Sequence, residues 1–394
     1  MARLPIIPMS SPDLTEAERQ AVADVINTPN LSMGPKIKAF ENAICEFSGS
    51  RHAIGVSSGT AGLHLCILAA GVTDRDLVIT TPFSFVASSN VILFERGIPV
   101  FVDIDQRTGN IDPVQLSDAT EALIAGRESA RHWLPRQGAK RVRQLKAILP
   151  VDVFGQPADL DPIRQIADRY QLKMIEDSCE ALGAEYKSRK AGTLGDYGVY
   201  AFYPNKQITT GEGGVIVTDD EEAAEFMRAL RNQGRVPGDT WLQHTYLGYN
   251  YRLDELSAVL GVVQMTRIEE LLQNRERVAT WYTERLAEIE GVETAQVVST
   301  TTRMSWFVYV IRLAASIDRD AFAKDLAERG IPARPYFLPI HLQPYMTSRF
   351  GYRPGDFPVT EDLGRRSLAL PFSGVMTEDQ VDQICRIIQE VLHV

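Results

Sequence analysis

The chain has 394 residues, 44% of them hydrophobic, and a formal net charge of −10 at pH 7. That length can bury a large core divided between two domains, and the acidic balance argues against nucleic acid as a partner. The opening MARLPIIPMSSPDLTEAER has no basic region followed by an apolar run, and no apolar stretch of about 18 or more residues occurs, which predicts a cytoplasmic protein without a membrane segment.

Thr15 and Glu18 have capping-box spacing and start a first helix. Strand-like and helix-like segments then alternate, with strands expected at 52–56, 77–80, 100–103, 147–151, 173–176, 198–202 and 214–217. A helix is expected over 61–70, ending near Gly71, and another from Asp161-Pro162, with the proline at its first position. This alternation predicts the α/β class, with a mostly parallel sheet covered by helices on both faces. From about 254 to 290 the chain reads as one long bridging helix whose weak point is Gly261. A smaller C-terminal α+β domain follows, with a strand over 306–313, a helix over 318–329 and a last helix capped by Thr377 and Gln380. That last helix carries Val381, Ile384, Cys385, Ile388, Val391 and Leu392 on one face. The expected domains are therefore 1–252 and 253–394. The segment 128–146, with Arg131, Arg136, Lys140, Arg141, Arg143 and Lys146, lacks apolar periodicity and reads as a solvated basic insertion. Cys45, Cys66, Cys179 and Cys385 show no CxxC spacing, so neither disulfides nor a metal site is expected.

Three motifs carry chemistry. Ser58-Gly59-Thr60 follows a strand and opens a helix, so backbone N–H groups and the helix dipole converge where a phosphate could sit. Asp177 ends a strand at the carboxyl edge of the sheet, the edge where doubly wound folds bind ligands. Lys206 follows an apolar strand and precedes the glycine-rich loop Thr209-Thr210-Gly211-Glu212-Gly213-Gly214, which lacks the G-x-G-x-x-G spacing of a dinucleotide site. Each alone has an ordinary reading, as a polar turn, a helix-capping aspartate or a surface lysine. Together, in this order, a phosphate cradle, a carboxylate and an amine fit pyridoxal 5'-phosphate, with Lys206 forming the Schiff base and Asp177 keeping the pyridine nitrogen protonated.

With SSGTAGLHL at 57–65, TPFSFVASSN at 81–90, FVDID at 101–105 and VFGQPADLDPI at 153–163, the pattern widens. EDSCEALGA at 176–184, FYPNKQITTGEGG at 202–214 and LGYNYRLDELSA at 247–258 extend it, as do GPKIKAFE at 34–41 and RPYFLPIHLQPYM at 334–346. The chain resembles the DegT/StrS family of nucleotide-sugar aminotransferases along nearly its whole length. The resemblance implies the fold type I of pyridoxal-phosphate enzymes and a homodimer with shared active sites. It implies Lys206 as Schiff-base lysine and proton shuttle, Asp177 as pyridinium partner, and Gly59 with Thr60 as phosphate cradle. Phe85 is implied to stack on the cofactor ring, Asn250 to reach the phosphate of the neighbouring subunit's cofactor, and Tyr336 and His341 to line the sugar-nucleotide site. An amino acid, glutamate by resemblance, would pass its amino group through pyridoxamine phosphate to a keto-sugar nucleotide.

Two positions depart from the commoner family pattern: Ala201 stands where a serine usually helps hold the phosphate, and Glu180 where glutamine or histidine is frequent beside the cofactor hydroxyl. Rival readings are a sugar dehydratase of the same fold, which resembles relatives with histidine in place of Lys206, and a cofactor-binding regulator without turnover.

Overall fold

Seven strands form one sheet in the order His52–Val56, Gly214–Thr218, Tyr197–Ala201, Lys173–Asp177, Leu145–Ile148, Leu77–Thr80, Ile98–Phe101. The structure, a computed structural model, describes residues 7–392, so the outermost residues of the two expected domains, 1–6 and 393–394, lie outside it. Gly214–Thr218 runs antiparallel to both its neighbours, and the remaining four pairings are parallel. Each expected strand is present. The strand expected at 147–151 ends three residues early, at Ile148, and the one expected at 100–103 begins at Ile98 and takes in Pro99. Proline argues against a strand interior, yet this strand is at the sheet edge, where a missing N–H is tolerated.

Helices cover both faces of the sheet, which is why the strand residues are buried almost without alternation. Helix Gly59–Ala69, GTAGLHLCILA, is apolar nearly all round and lies directly on the sheet: a Cβ added at Gly62 would stand 2.8 Å from the Val199 side chain. This close approach holds the helix start at the carboxyl edge of the strands.

Two expectations on helix limits need correction. Helix Leu160–Tyr170 starts with Asp159 as N-cap, so Asp161 and Pro162 fall inside its first turn, where a missing N–H costs nothing. The bridging segment is two helices, Glu255–Thr266 and Ile268–Leu286, and the break is at Arg267, not Gly261. Gly261 is where the first of them crosses Phe40, with room for a Cβ only 2.6 Å from the ring. Arg267 leaves helical geometry while its guanidinium binds Asp13, Glu18 and Glu270.

The C-terminal part has a four-stranded antiparallel sheet, Val292–Glu293, Tyr309–Leu313, Ser367–Leu370 and Arg334–Pro335, packed with helices Arg319–Glu328 and Glu378–Leu392. Thr377 and Gln380 bond each other's backbone amides and cap the last helix as expected. Ile7, from the other end of the chain, is buried in this second core. The basic segment is anchored and not simply solvated: Trp133, Leu134, Ala139 and Val142 pack against a core that includes Leu116 and Phe350, and Arg136 pairs with Asp356. Among the described residues no helix is long and apolar enough to cross a membrane.

Candidate active site

A cavity of about 520 Å³ opens at the carboxyl edge of the large sheet. The large domain lines it with Gly59, Thr60, Phe85, Asp177, Glu180, Ala201 and Lys206, among others, and the C-terminal part closes it with Phe307, Tyr336 and Phe337.

Asp177 is the last residue of its strand and is 5% exposed. Its Oδ2 accepts from Ser88 Oγ at 2.6 Å and its Oδ1 from the Cys179 amide at 3.3 Å. Ser58 caps helix Gly59–Ala69 by accepting from the Ala61 amide at 3.1 Å. Gly59 and Thr60 line the cavity, and their amides lie in the first turn, where no intrahelical acceptor exists. A Cβ at Gly59 would stand 2.8 Å from both Ala201 Cβ and Cys179 Sγ, so bare backbone is what this wall offers. The Ala201 methyl is therefore packed directly beneath Gly59.

Lys206 lies just beyond strand Tyr197–Ala201, in a turn closed by its amide on the Tyr203 carbonyl at 2.9 Å. Its Nζ sits 3.8 Å from the Phe307 ring centroid and 3.8 Å from Glu180 Oε1. Burial pushes the Glu180 carboxyl above its usual range, with Lys206 opposing. Glu180 Oε2 accepts from the Phe154 amide at 2.9 Å, and Phe154 has the left-handed φ of 61° that aims this N–H at it. For a residue other than glycine such a conformation costs on the order of 1–3 kcal/mol and recurs at functional sites.

Arg275, on helix Ile268–Leu286, binds this assembly from behind. Its Nη1 donates to the carbonyls of Trp306 and Phe307, each at 3.2 Å, and its Nη2 to those of Asn205, at 3.1 Å, and Lys206. The buried guanidinium is pushed down to about 10 by loss of hydration. Sequence reasoning missed it, although Arg275 interrupts the apolar face made by Leu271, Leu272, Val278 and Ala279. A charged residue at an apolar position of an amphipathic helix is the signal that marks it. Ser88, Cys179 and Phe307 were also missed: Ser88 meets Asp177, Cys179 Sγ packs beneath Gly59, and Phe307 meets Lys206, all contacts far apart in sequence.

The structure brings together Gly59, Thr60, Phe85, Asp177, Glu180, Lys206 and Tyr336. It does not bring His341 or Asn250 to the cavity. His341 is fully buried, with Nε2 at 3.0 Å from Glu361 Oε1 and its ring against Phe357, so it supports the 355–361 segment. Asn250 is exposed, in a loop bridged to Asn232.

Residues 12–389 match the DegT/DnrJ/EryC1/StrS aminotransferase family model. The chain is 37% identical over 395 residues to GDP-perosamine synthase of Caulobacter vibrioides, with 100% of both chains covered. It is 35% identical over 405 residues to the uncharacterized protein MJ1066 of Methanocaldococcus jannaschii, covering 100% of this chain and 99% of that one. It is also similar to the solved structure of Helicobacter pylori PseC, an aminotransferase involved in the biosynthesis of pseudoaminic acid. The TM-score is 0.87 and the identity 27%, over 99% of this chain and 100% of that one.

Proposed function

Since the chain belongs to the DegT/DnrJ/EryC1/StrS aminotransferase family and is a sugar aminotransferase, we propose that it moves an amino group from glutamate to a keto-sugar nucleotide. It does so in the cytoplasm, on a route to an aminosugar of a polysaccharide, with pyridoxal phosphate held at Lys206. The observation that carries this reading is that one cavity collects the Lys206 amine, the Asp177 carboxylate and the first-turn amides of Gly59 and Thr60. When bound, the cofactor supplies the electron sink that makes the donor's Cα–H acidic and lets nitrogen pass between two substrates.

The chain's own residues do the rest. Gly59 and Thr60 offer the phosphate two free amides at the positive end of a helix. Asp177, its two oxygens already held by Ser88 and Cys179, holds a proton at the ring nitrogen. Lys206 Nζ moves the proton in both halves of the reaction. Phe85, 64% exposed at the cavity, and Tyr336, from the C-terminal part, exclude water from the reacting atoms. Glu180 faces Lys206, its Oε1 3.8 Å from Nζ, and places a carboxylate beside the amine.

The assembly we propose is a homodimer with shared sites. Asn250 shares its loop with Trp241, Leu242 and Leu247, which are 79%, 82% and 90% exposed. Exposed apolar side chains grouped in this way mark an association surface, and a second copy is the occupant that would bring Asn250 to a neighbouring phosphate.

The test gives the purified protein glutamate, pyridoxal phosphate and a panel of 3-keto and 4-keto sugar nucleotides, and follows aminosugar formation by mass spectrometry. At least one member should be aminated by the wild type and none by Lys206→Ala. Amination by the Lys206→Ala variant, or transfer by the wild type to simple keto acids but to no sugar nucleotide, would overturn the reading.

A further inference from the structure

We propose that Ser88 is a positioning residue for Asp177 and that Ser84 fixes the direction in which Ser88 donates, an inference that rests on reading Asp177 as the partner of the cofactor's ring nitrogen. Ser84 and Ser88 are 3% and 1% exposed, so their hydroxyls must find partners within the protein. Ser88 Oγ lies 2.6 Å from Asp177 Oδ2, the length of a hydroxyl donating to an ionised carboxylate. Ser84 Oγ lies 2.9 Å from Ser88 Oγ.

The direction of the relay follows from counting protons. An ionised carboxylate only accepts, so the single hydroxyl proton of Ser88 is committed to Asp177. The Ser84–Ser88 contact is then a hydrogen bond only if Ser84 donates. A competing acceptor is present, because the Phe85 carbonyl lies 3.3 Å from Ser88 Oγ. Ser84 occupies the lone-pair side of Ser88 and keeps its proton on Asp177 rather than on that carbonyl, and hydrogen bonds in such a chain strengthen one another.

Asp177 needs this donor. Burial and the neighbouring Asp177 push up the Asp152 and Glu180 carboxyls and the Cys179 thiol, so acidic groups surround Asp177. Lys206, the cation on the same cavity, is directed at Glu180 and Phe307. A hydrogen bond donated to a carboxylate favours its charged form, and Ser88 supplies the shorter of the two that Asp177 accepts. The same short segment also carries Phe85 between the two serines. The turn at Ser84-Phe85 and the start of helix Ala87–Phe94 together therefore set the orientation of the Asp177 carboxylate and present an aromatic ring to the same cavity.

The experiment measures the dissociation constant for pyridoxal phosphate and the pH titration of the bound cofactor's visible absorbance, both without substrate. Ser88→Ala should weaken cofactor binding on the order of tenfold and move the absorbance midpoint, because a charged hydrogen bond is lost and Asp177 Oδ2 is left buried without it. Ser88→Thr keeps the hydroxyl and should restore both readouts. Ser84→Ala should shift them in the same direction by less. In an Asp177→Asn background, Ser88→Ala should change the dissociation constant by less than about twofold. A Ser88→Ala protein with the wild-type constant and midpoint, or one that loses tenfold in both backgrounds, would overturn the proposal. Ser84→Ala indistinguishable from wild type would remove Ser84 from the relay. If Ser88→Ala fails to fold, Ser88→Cys, a weak donor of similar size, is measured in its place with the same expectations. A wild-type protein that shows no visible band with pyridoxal phosphate would instead overturn the cofactor reading itself.

Discussion

Arg275→Met removes a guanidinium that holds four backbone carbonyls, those of Asn205, Lys206, Trp306 and Phe307, while keeping an unbranched side chain in the same space. Arg275 is 4% exposed, so water reaches the vacated carbonyls poorly. Each unsatisfied buried group costs about 1–3 kcal/mol, and burying a charge is itself unfavourable, which returns part of the loss. Taking the low end for four carbonyls gives a net destabilisation of about 4 kcal/mol. The rate should suffer separately. With the Lys206 carbonyl released, the amine is no longer fixed over Phe307, and a misplacement of about 1 Å costs on the order of a hundredfold in turnover. Urea unfolding midpoints and kcat measure the two effects. Arg275→Lys should fall between, because a single ammonium cannot span four carbonyls that a planar fork reaches together. An Arg275→Met protein with wild-type midpoint and rate would refute the idea that this arginine holds the catalytic turn.

Gly59→Ala should destabilise by about 1–3 kcal/mol, because its new methyl meets Ala201 and Cys179, and should weaken pyridoxal phosphate binding; adding Ala201→Gly should recover part of both. Wild-type melting and affinity in the single variant would show that the wall has slack. Burial lowers the pKa of His341 below its usual 6.5, with Glu361 opposing. The folded form therefore refuses a proton that the unfolded chain accepts, and stability should fall as pH drops below 6.5, by up to about 1.4 kcal/mol per pH unit. His341→Gln should flatten that slope in denaturant titrations run across the range, and an unchanged slope would assign the acid sensitivity elsewhere. Mixing a Lys206→Ala chain with an Asn250→Asp chain should return activity, because one site of the mixed dimer then carries neither change; verified heterodimers without activity would place Asn250 in its own chain's site or in none.

The fold class and the residues that meet in the cavity were legible in the sequence because their signals are local. Strand hydrophobicity, the turn Ser58-Gly59-Thr60 and the glycine loop after Lys206 each act through backbone geometry within a few residues, and the strands stand within two or three residues of the expected ends. The position of Asp177 at a strand terminus was enough to place its carboxylate at the carboxyl edge of the sheet. Where local signals compete, the reading slipped. Gly261 looked like the weak point of a helix by propensity, but packing against Phe40 uses its missing side chain, while Arg267 breaks the helix through ion pairs with residues about 250 positions away.

Tertiary structure alone decided what surrounds those residues. Nothing within a few positions of Ser88 shows that its hydroxyl meets Asp177, 89 residues on, or that Arg275 reaches Asn205, 70 residues back. His341 shows the reverse case: the family resemblance implied a wall of the sugar-nucleotide site, yet the fold turns its ring inward onto Glu361 and Phe357. The amino-acid sequence by itself determined the elements and the chemistry at their ends, since those depend on spacing and backbone bias. The partners of the cavity residues depend on which elements meet, and that follows from long-range packing and from pairing buried polar groups, which no local pattern encodes.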